Sequence, residues 1–271
     1  MKVYFITRFS IFDPEFGGFR LTKDYDRTEY ERRLFNEDRL DHKFGDFENI
    51  TFPSIVVQSC SDWMWQIYTS NRLPHKYMQR LSDLVKQYKT ISLYKVKDFG
   101  EFFAKGSSYN YGNSFATVRI DDDDGLNMSF VEKLQQYSGN VGSIVSFTEG
   151  ALVKRVNGTI VVGKRVSYKN CALGLSGIGL NIYGCGRHSD IDTRYHVIYD
   201  STPDMFLLDC SPHADTKRGF TALDRLRVKL TRLCFLIAYQ PRKLPRECYA
   251  FVQKRAQFLS RKLLGYRNRA V

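Results

Sequence analysis

Apolar runs bounded by polar or turn-forming residues recur along the first 140 residues of the chain. Short runs rich in β-branched and aromatic residues predict strands over residues 2–9, 63–70, 90–96 and 115–120. Residues 73–85 have apolar side chains at helical spacing, and residues 97–105 predict a second, short helix. Ser129 and Glu132 have the spacing of a capping box, which predicts a third helix. This alternation is typical of an α/β fold with a mainly parallel sheet.

Two segments of this half are less regularly patterned. Residues 10–50 are mixed, charged and glycine-bearing, and they predict a long, partly irregular excursion after the first strand. Residues 52–60 fit a helix because Pro53 suits a first helical turn, although Ile55-Val56-Val57 fits a strand equally well.

The pattern changes in the second half of the chain. Residues 143–210 contain several short strand patterns separated by Gly, Asn and Asp turns, and Asn157-Gly158 indicates a hairpin. From Phe220 onward the apolar spacing is helical, with breaks at Pro241 and Pro245. We therefore expect a body of mixed α/β structure followed by a helical segment.

Composition is that of an ordinary globular protein. Hydrophobic residues make up 43% and charged residues 26% of the 271, which excludes disordered and collagen-like classes. No apolar run approaches the ~20 residues that span a bilayer, and the N-terminus is typical of a core strand rather than a secretory signal. The six cysteines are scattered without zinc-like spacing, so we expect free thiols in a cytoplasmic protein, either soluble or peripherally membrane-associated.

Positive charge is concentrated at the C-terminal end. Residues 217–271 have a net charge of +13, whereas residues 1–216 have a net charge of −1. The simplest interpretation is a basic helical extension that packs on the body with a solvated charged face. Contact with an anionic membrane surface and binding of nucleic acid are the alternatives, of which nucleic acid is the less favoured.

Four consecutive aspartates, Asp121–Asp124, follow the strand predicted over residues 115–120. In open α/β sheets, ligands bind at the carboxyl ends of strands. Strand alternation would direct Asp121 and Asp123 to one site and turn Asp122 away. Two facing carboxylates repel each other unless a cation lies between them, and hard oxygen ligands suit Mg²⁺ or Mn²⁺. A solvated acidic turn is the alternative, and a calcium loop fits poorly because its glycine would fall one residue early.

The sequence Arg119-Ile120-Asp121-Asp122-Asp123-Asp124-Gly125-Leu126, followed by a helix, resembles the Asp-x-Asp region of GT-A glycosyltransferases. With residues 5–9 and 52–58, it is similar to the putative rhamnosyltransferase family over roughly residues 1–215. It is also similar to chlorovirus-type glycan-decorating glycosyltransferases, among them xylosyl and rhamnosyl enzymes. The resemblance implies a GT-A (Rossmann-like) mixed sheet flanked by helices over residues 1–216, with residues 217–271 as a basic helical extension.

The resemblance implies a metal-dependent transfer of xylose or rhamnose from a nucleotide sugar, with UDP as the expected carrier, to a glycan hydroxyl with inversion. It places the donor against Thr7, Arg8, Phe9, Arg119, Asp121, Asp122 and Asp124. It assigns Mn²⁺ or Mg²⁺ to Asp123 and Asp121, with His213 completing the metal site. Lys217 and Arg218, just after His213, could reach the donor diphosphate, although they fit simple solvated charges equally well.

Inversion requires a general base that takes the proton from the acceptor hydroxyl as it attacks the anomeric carbon. Asp190 is the first candidate, and Glu149 and Asp192 follow. Two other classes remain open: a metal-dependent nucleotidyl or phosphoryl transferase with the same acidic cluster, and a nucleic-acid-binding protein or nuclease that uses the basic extension.

Overall fold

The computed structural model describes residues 1–13, 15, 25–156 and 159–210 of the chain. Eleven strands lie within these residues: β1 Lys2–Phe9, β2 Trp63–Ser70, β3 Ile91–Val96, β4 Phe115–Arg119, β5 Gly125–Leu126, β6 Ile144–Phe147, β7 Glu149–Val156, β8 Thr159–Ser167, β9 Ser176–Ile178, β10 Val197–Asp200 and β11 Phe206–Asp209. The four strands predicted in the first half of the chain are confirmed to within a residue at either end.

Seven strands form the central sheet, in the order β10-β6-β9-β4-β1-β2-β3. β1 is parallel to both β2 and β4, β2 is parallel to β3, and β10 is parallel to β6. Only β9 runs antiparallel to its neighbours β4 and β6 within this sheet of the described chain. The predicted α/β class, with a mixed and mainly parallel sheet flanked by helices, is confirmed.

Six α-helices accompany the strands: α1 Arg27–Leu34, α2 Glu37–Asp46, α3 Phe52–Val56, α4 His75–Val85, α5 Phe99–Ser108 and α6 Phe130–Gln135. The prediction of an irregular excursion over residues 10–50 is wrong for its second half, which forms α1, α2 and the start of a π-helical turn, Phe47–Thr51. Its apolar side chains are spaced for burial, since Leu40, Phe44 and Phe47 are fully buried. The ambiguous segment after residue 52 begins with a helix.

The helix predicted after Ser129 is present, but the capping box is not. The Ser129 hydroxyl donates to Asn127 Oδ1 at 3.0 Å instead of capping the helix. Glu132 Oε2 accepts from the Ser59 hydroxyl at 3.1 Å. Asn127 satisfies the local backbone in the place of the serine, because its Oδ1 also accepts from the Ser129 amide.

A second sheet packs beside the first, in the order β5-β11-β7-β8. β7 and β8 pair antiparallel on either side of Asn157-Gly158, which confirms the predicted hairpin. Gly150 in β7 lies so close to Phe206 of β11 that a Cβ atom there would be 2.3 Å from the ring. The chain passes from the central sheet to this smaller sheet directly through Asp121–Asp124.

Alternation along β1 distributes its side chains between two apolar cores. Phe5 and Phe9 pack with Trp65 on the side of α2. Ile6 packs with Tyr68 on the side of α5. Both cores close around the carboxyl end of β1, so the residues that follow it are held in fixed positions.

Candidate functional site

A cavity of about 540 Å³ opens at the carboxyl edge of β1 and β4. Several separate segments supply its walls: the residues after β1, the helices α1 and α2, the end of β4, residues 168–173, and the end of β11. The lining residues are Arg8, Ser10, Ile11, Tyr30, Leu34, Arg39, Lys43, Phe99, Arg119, Asp121, Asp122, Asp123, Asp124, Tyr168, Lys169, Asn170, Cys171, Ala172, Leu173, His188, Leu208 and Asp209. The position agrees with the rule for ligand sites in α/β sheets.

Asp121 is held by two arginines from adjacent parallel strands. Arg119 Nη2 donates to Asp121 Oδ2 at 3.2 Å, and Arg8 Nη2 lies 3.6 Å from Asp121 Oδ1. Burial by itself would raise the pKa of Asp121, but the two guanidinium groups outweigh it and hold the pKa well below the ordinary carboxyl range. Asp121 is therefore an ionised carboxylate at neutral pH.

Asp122 and Asp123 share one lysine. Lys43 Nζ lies 2.5 Å from Asp122 Oδ1 and 3.2 Å from Asp123 Oδ2. The expectation that Asp122 turns away from the site is wrong, since it lines the same cavity. The chain has already left the strand here, because the Asp124 amide donates to the Asp121 carbonyl in a turn, and strand alternation no longer applies.

Asp124 lies beside a second buried acid, Asp209 at the end of β11. Asp124 Oδ1 accepts from the Asp209 backbone amide at 2.8 Å, and the two residues are 5% and 2% exposed. Burial, followed by repulsion from Asp123 and Asp121, raises the pKa of Asp124 well above its ordinary value. The carboxyl group of Asp124 therefore loses its proton less readily than an ordinary aspartate does.

The arginines are oriented by aromatic rings as well as by Asp121. The Tyr183 ring lies 5.1 Å from the Arg8 guanidinium and 5.6 Å from that of Arg119, and Phe99 is 5.5 Å from Arg8. Cation–π contacts of this kind hold a guanidinium in place without neutralising its charge. Arg119 Nε is buried and has no hydrogen-bond partner within the described residues. The pair presents positive charge to the cavity.

The structure separates the three donor-binding residues predicted at the end of β1. Arg8 lines the cavity, whereas Thr7 and Phe9 point to the opposite face of the sheet and do not line it. The Thr7 hydroxyl accepts from Trp65 Nε1 at 2.9 Å. Phe9 is fully buried between Phe44 and Phe47, with ring centroids 4.8 and 5.3 Å away. Both side chains therefore lie in the protein core.

The three predicted base candidates do not line the cavity either. Asp190 is exposed and accepts from Arg194 Nη2 at 2.8 Å. Asp192 accepts from the Tyr199 hydroxyl at 2.9 Å. Glu149 accepts from the neighbouring Thr148 hydroxyl at 3.2 Å. His213, Lys217, Arg218 and the basic extension lie outside the described residues.

Sequence reasoning missed Lys43 and Asp209, which contact the aspartates directly. Lys43 lies within the segment predicted to be irregular, so its helical placement was not visible. One sequence feature could have indicated this placement. Lys43 is the only Lys or Arg between the buried positions Leu40 and Phe47. Asp209 ends a short apolar strand, which is the same pattern that identified Asp121.

The chemistry of these side chains fits a divalent cation at one point. Asp121 and Asp123 both line the cavity, and carboxylate oxygens are the ligands that Mg²⁺ and Mn²⁺ take in proteins. Across residues 1–13, 15, 25–156 and 159–210, no three side chains of the ligating types gather into a metal-binding group. The third expected ligand, His213, belongs to the residues not described.

Comparison with known proteins gives one family match. The sequence pattern of the family described as "Putative rhamnosyl transferase" matches residues 2–222. No curated protein matches the chain significantly.

Among solved structures, S. aureus TarS 1-349 in complex with UDP-GlcNAc superposes with a TM-score of 0.47 at 7% identity, covering 93% of this chain and 70% of that chain. The same TarS fragment in complex with UDP superposes with a TM-score of 0.44 at 10% identity, covering 96% and 71%.

None of the helices in the described residues has the length and apolar character needed to cross a membrane.

Proposed function

Because the chain belongs to the putative rhamnosyl transferase family and is a glycosyltransferase, we propose that its cavity binds the diphosphate of a nucleotide-sugar donor. The sugar is transferred to a hydroxyl group of a glycan acceptor. Rhamnose is the first candidate sugar because of the family, with xylose as the second, and UDP is the proposed carrier.

The observation that supports donor binding is the convergence of basic side chains on the aspartates. Arg8, Arg119 and Lys43 come from three different elements and meet at the carboxyl edge of the sheet. A diphosphate is a doubly charged anion that such groups bind through charge-assisted hydrogen bonds. The same groups would stabilise the negative charge that develops on the leaving diphosphate as the glycosidic bond breaks.

Apolar side chains offer a place for the nucleobase. Four apolar side chains that line the cavity come from the residues after β1, from α1 and from the start of α5: Ile11, Tyr30, Leu34 and Phe99. Nucleobases are flat and largely apolar, and ligand sites commonly combine an apolar wall with a few polar anchors. We propose that the base lies against this wall while the diphosphate reaches toward Asp121.

A divalent cation, Mn²⁺ or Mg²⁺, completes the proposal. Five basic and five acidic side chains line the cavity, so a bound diphosphate adds negative charge to a nearly balanced site. Asp121 and Asp123 would hold the ion, with His213 as a third ligand. When bound, such an ion neutralises charge on the diphosphate and so assists its departure.

Inversion at the anomeric carbon and contact of residues 217–271 with an anionic membrane surface are further parts of the proposal. The net charge of +13 in that segment supports the membrane contact. A cytoplasmic location is supported by the scattered cysteines.

The test is thermal unfolding of the full chain with UDP, dTDP, GDP and ADP, each with and without Mn²⁺. A ligand at ~100 times its Kd stabilises the native state by about 2.7 kcal/mol. We expect a Mn²⁺-dependent rise of the midpoint with UDP, and loss of that rise in Asp123→Ala. If UDP raises the unfolding midpoint equally without Mn²⁺, the proposed donor site is supported and the proposed metal dependence is rejected. No rise with any nucleotide would reject the donor site.

A further inference from the structure

The transfer proposed above requires a group that takes the proton from the attacking hydroxyl. The aspartates of the cavity are poorly suited to this task. Both oxygens of the Asp121 carboxylate face arginines, Oδ2 that of Arg119 at 3.2 Å and Oδ1 that of Arg8 at 3.6 Å. Asp124 and Asp209 are 5% and 2% exposed, and Asp122 and Asp123 share the ammonium group of Lys43. The proton acceptor must therefore be sought elsewhere on the cavity wall.

His188 lies in that wall and has one ring nitrogen fixed by the backbone. Its Nδ1 atom is 2.9 Å from the carbonyl oxygen of Asn170, which also lines the cavity. A carbonyl oxygen can only accept, so Nδ1 carries the proton and Nε2 of the neutral ring keeps a lone pair. Within the described part of the chain, no other histidine lines the cavity.

The carbonyl that orients His188 is itself held in place. Asn170 adopts a left-handed backbone conformation with φ of 52°, which asparagine tolerates better than most residues. Its side-chain amide lies 3.0 Å from the hydroxyl oxygen of Tyr199. A general base works only when its lone pair has a fixed direction, and these contacts give the imidazole that constraint.

We propose that His188 is the general base of the transfer, an inference that depends on the proposed function. The acceptor O–H proton passes to Nε2 as the acceptor oxygen forms a bond to the anomeric carbon. The bond from that carbon to the diphosphate oxygen breaks, and its electron pair leaves with the nucleoside diphosphate. The imidazolium then releases the proton to solvent.

The test is the steady-state kinetics of His188→Asn with UDP-rhamnose, the proposed donor, as the varied substrate. The asparagine amide can still donate to the Asn170 carbonyl, so the wall is retained while the base is removed. General-base catalysis contributes about 10²- to 10⁴-fold, so we expect kcat to fall by that factor with the donor KM and nucleotide affinity unchanged. Added imidazole should restore part of the lost turnover, and His188→Gln should behave like the asparagine variant.

The matched control is His42→Asn, since His42 Nδ1 also lies 2.6 Å from a backbone carbonyl but is exposed on α2 and outside the cavity. It should retain wild-type kcat. The proposal is overturned if both His188 variants keep wild-type kcat, or if they raise the donor KM without lowering kcat. Absence of transfer by the wild-type chain with every nucleotide sugar would instead reject the proposed function.

Discussion

Two acidic runs in the described part of the chain contain the Asp-x-Asp pattern, Asp121–Asp124 and Asp190–Asp192, and the structure gives them opposite environments. The first lies where β4 ends, between the two sheets, and its carboxylates face Arg8, Arg119 and Lys43. The second lies in a 3₁₀ segment, His188–Thr193, at the protein surface.

The two runs differ in the burial of the basic residues that neutralise their carboxylates. Asp190 is paired with Arg194, four residues along the chain, and both side chains are well exposed. Asp121 is paired with Arg119, two residues earlier, and with Arg8 of the neighbouring strand β1, and all three line a cavity. Exposed pairs are screened by water, whereas charges in a cavity interact strongly with each other and with a ligand. An acidic pattern becomes a candidate site only through this second kind of surrounding.

Between the two runs, the largest expected effect comes from removing a carboxylate of the first. Asp121→Ala or Asp123→Ala should lower kcat for sugar transfer by about 10²- to 10³-fold, the usual effect of losing one group that stabilises transition-state charge. Circular dichroism should show an intact fold. Activity within about two-fold of wild type would remove the run from the site.

The next effect concerns stability. Lys43→Met leaves Asp122 buried without its ammonium partner, and breaking a buried pair typically costs about 3–5 kcal/mol. Urea unfolding should show this loss, and Lys43→Met combined with Asp122→Asn should recover part of it. The control is Lys86→Met, whose pair with Asp83 is exposed and should leave the unfolding midpoint unchanged.

Substitution of Asp124 should stabilise the protein, in contrast to substitution of Lys43. Its pKa is raised in the folded state, so the folded chain binds the proton more tightly than the unfolded chain does. The free energy of unfolding therefore decreases as the pH rises from the ordinary carboxyl pKa, near 3.9, toward the folded value.

Asp124→Asn removes this penalty and should stabilise the protein by about 0.5–2 kcal/mol at pH 8 while reducing transfer. Unfolding curves at pH 5 and pH 8 test this, because the gain should be smaller at the lower pH. An equal gain at both pH values would contradict the assigned direction of the pKa shift.

The smallest effect is expected at the second run. Asp190→Asn removes an exposed ion pair worth about 0–1 kcal/mol. Transfer activity should stay near wild type, as should that of Asp192→Asn. A loss of kcat as large as that of His188→Asn would return the general-base role to Asp190, where the sequence alone had placed it.

Much of the fold was predictable because its signals are local. Continuous apolar runs identified β1 to β4, and helical spacing identified α4, since buried strands and amphipathic helices impose those periods on the sequence. The pair α1 and α2 escaped prediction because charged residues dominate both helices and only a narrow apolar stripe is buried. The predicted capping box is absent because the Ser129 amide and hydroxyl both donate to Asn127 Oδ1.

The sequence by itself determined the α/β class and the family, and it placed Asp121–Asp124 directly after a buried strand, because these are local patterns. Only the tertiary structure decided which charges meet. Lys43 reaches Asp122 across 79 positions, and the Asp209 amide reaches Asp124 across 85. It likewise placed Thr7 and Phe9 in the core and Asp190 at the surface. Such contacts depend on how helices and sheets pack, and spacing along one chain does not contain that information.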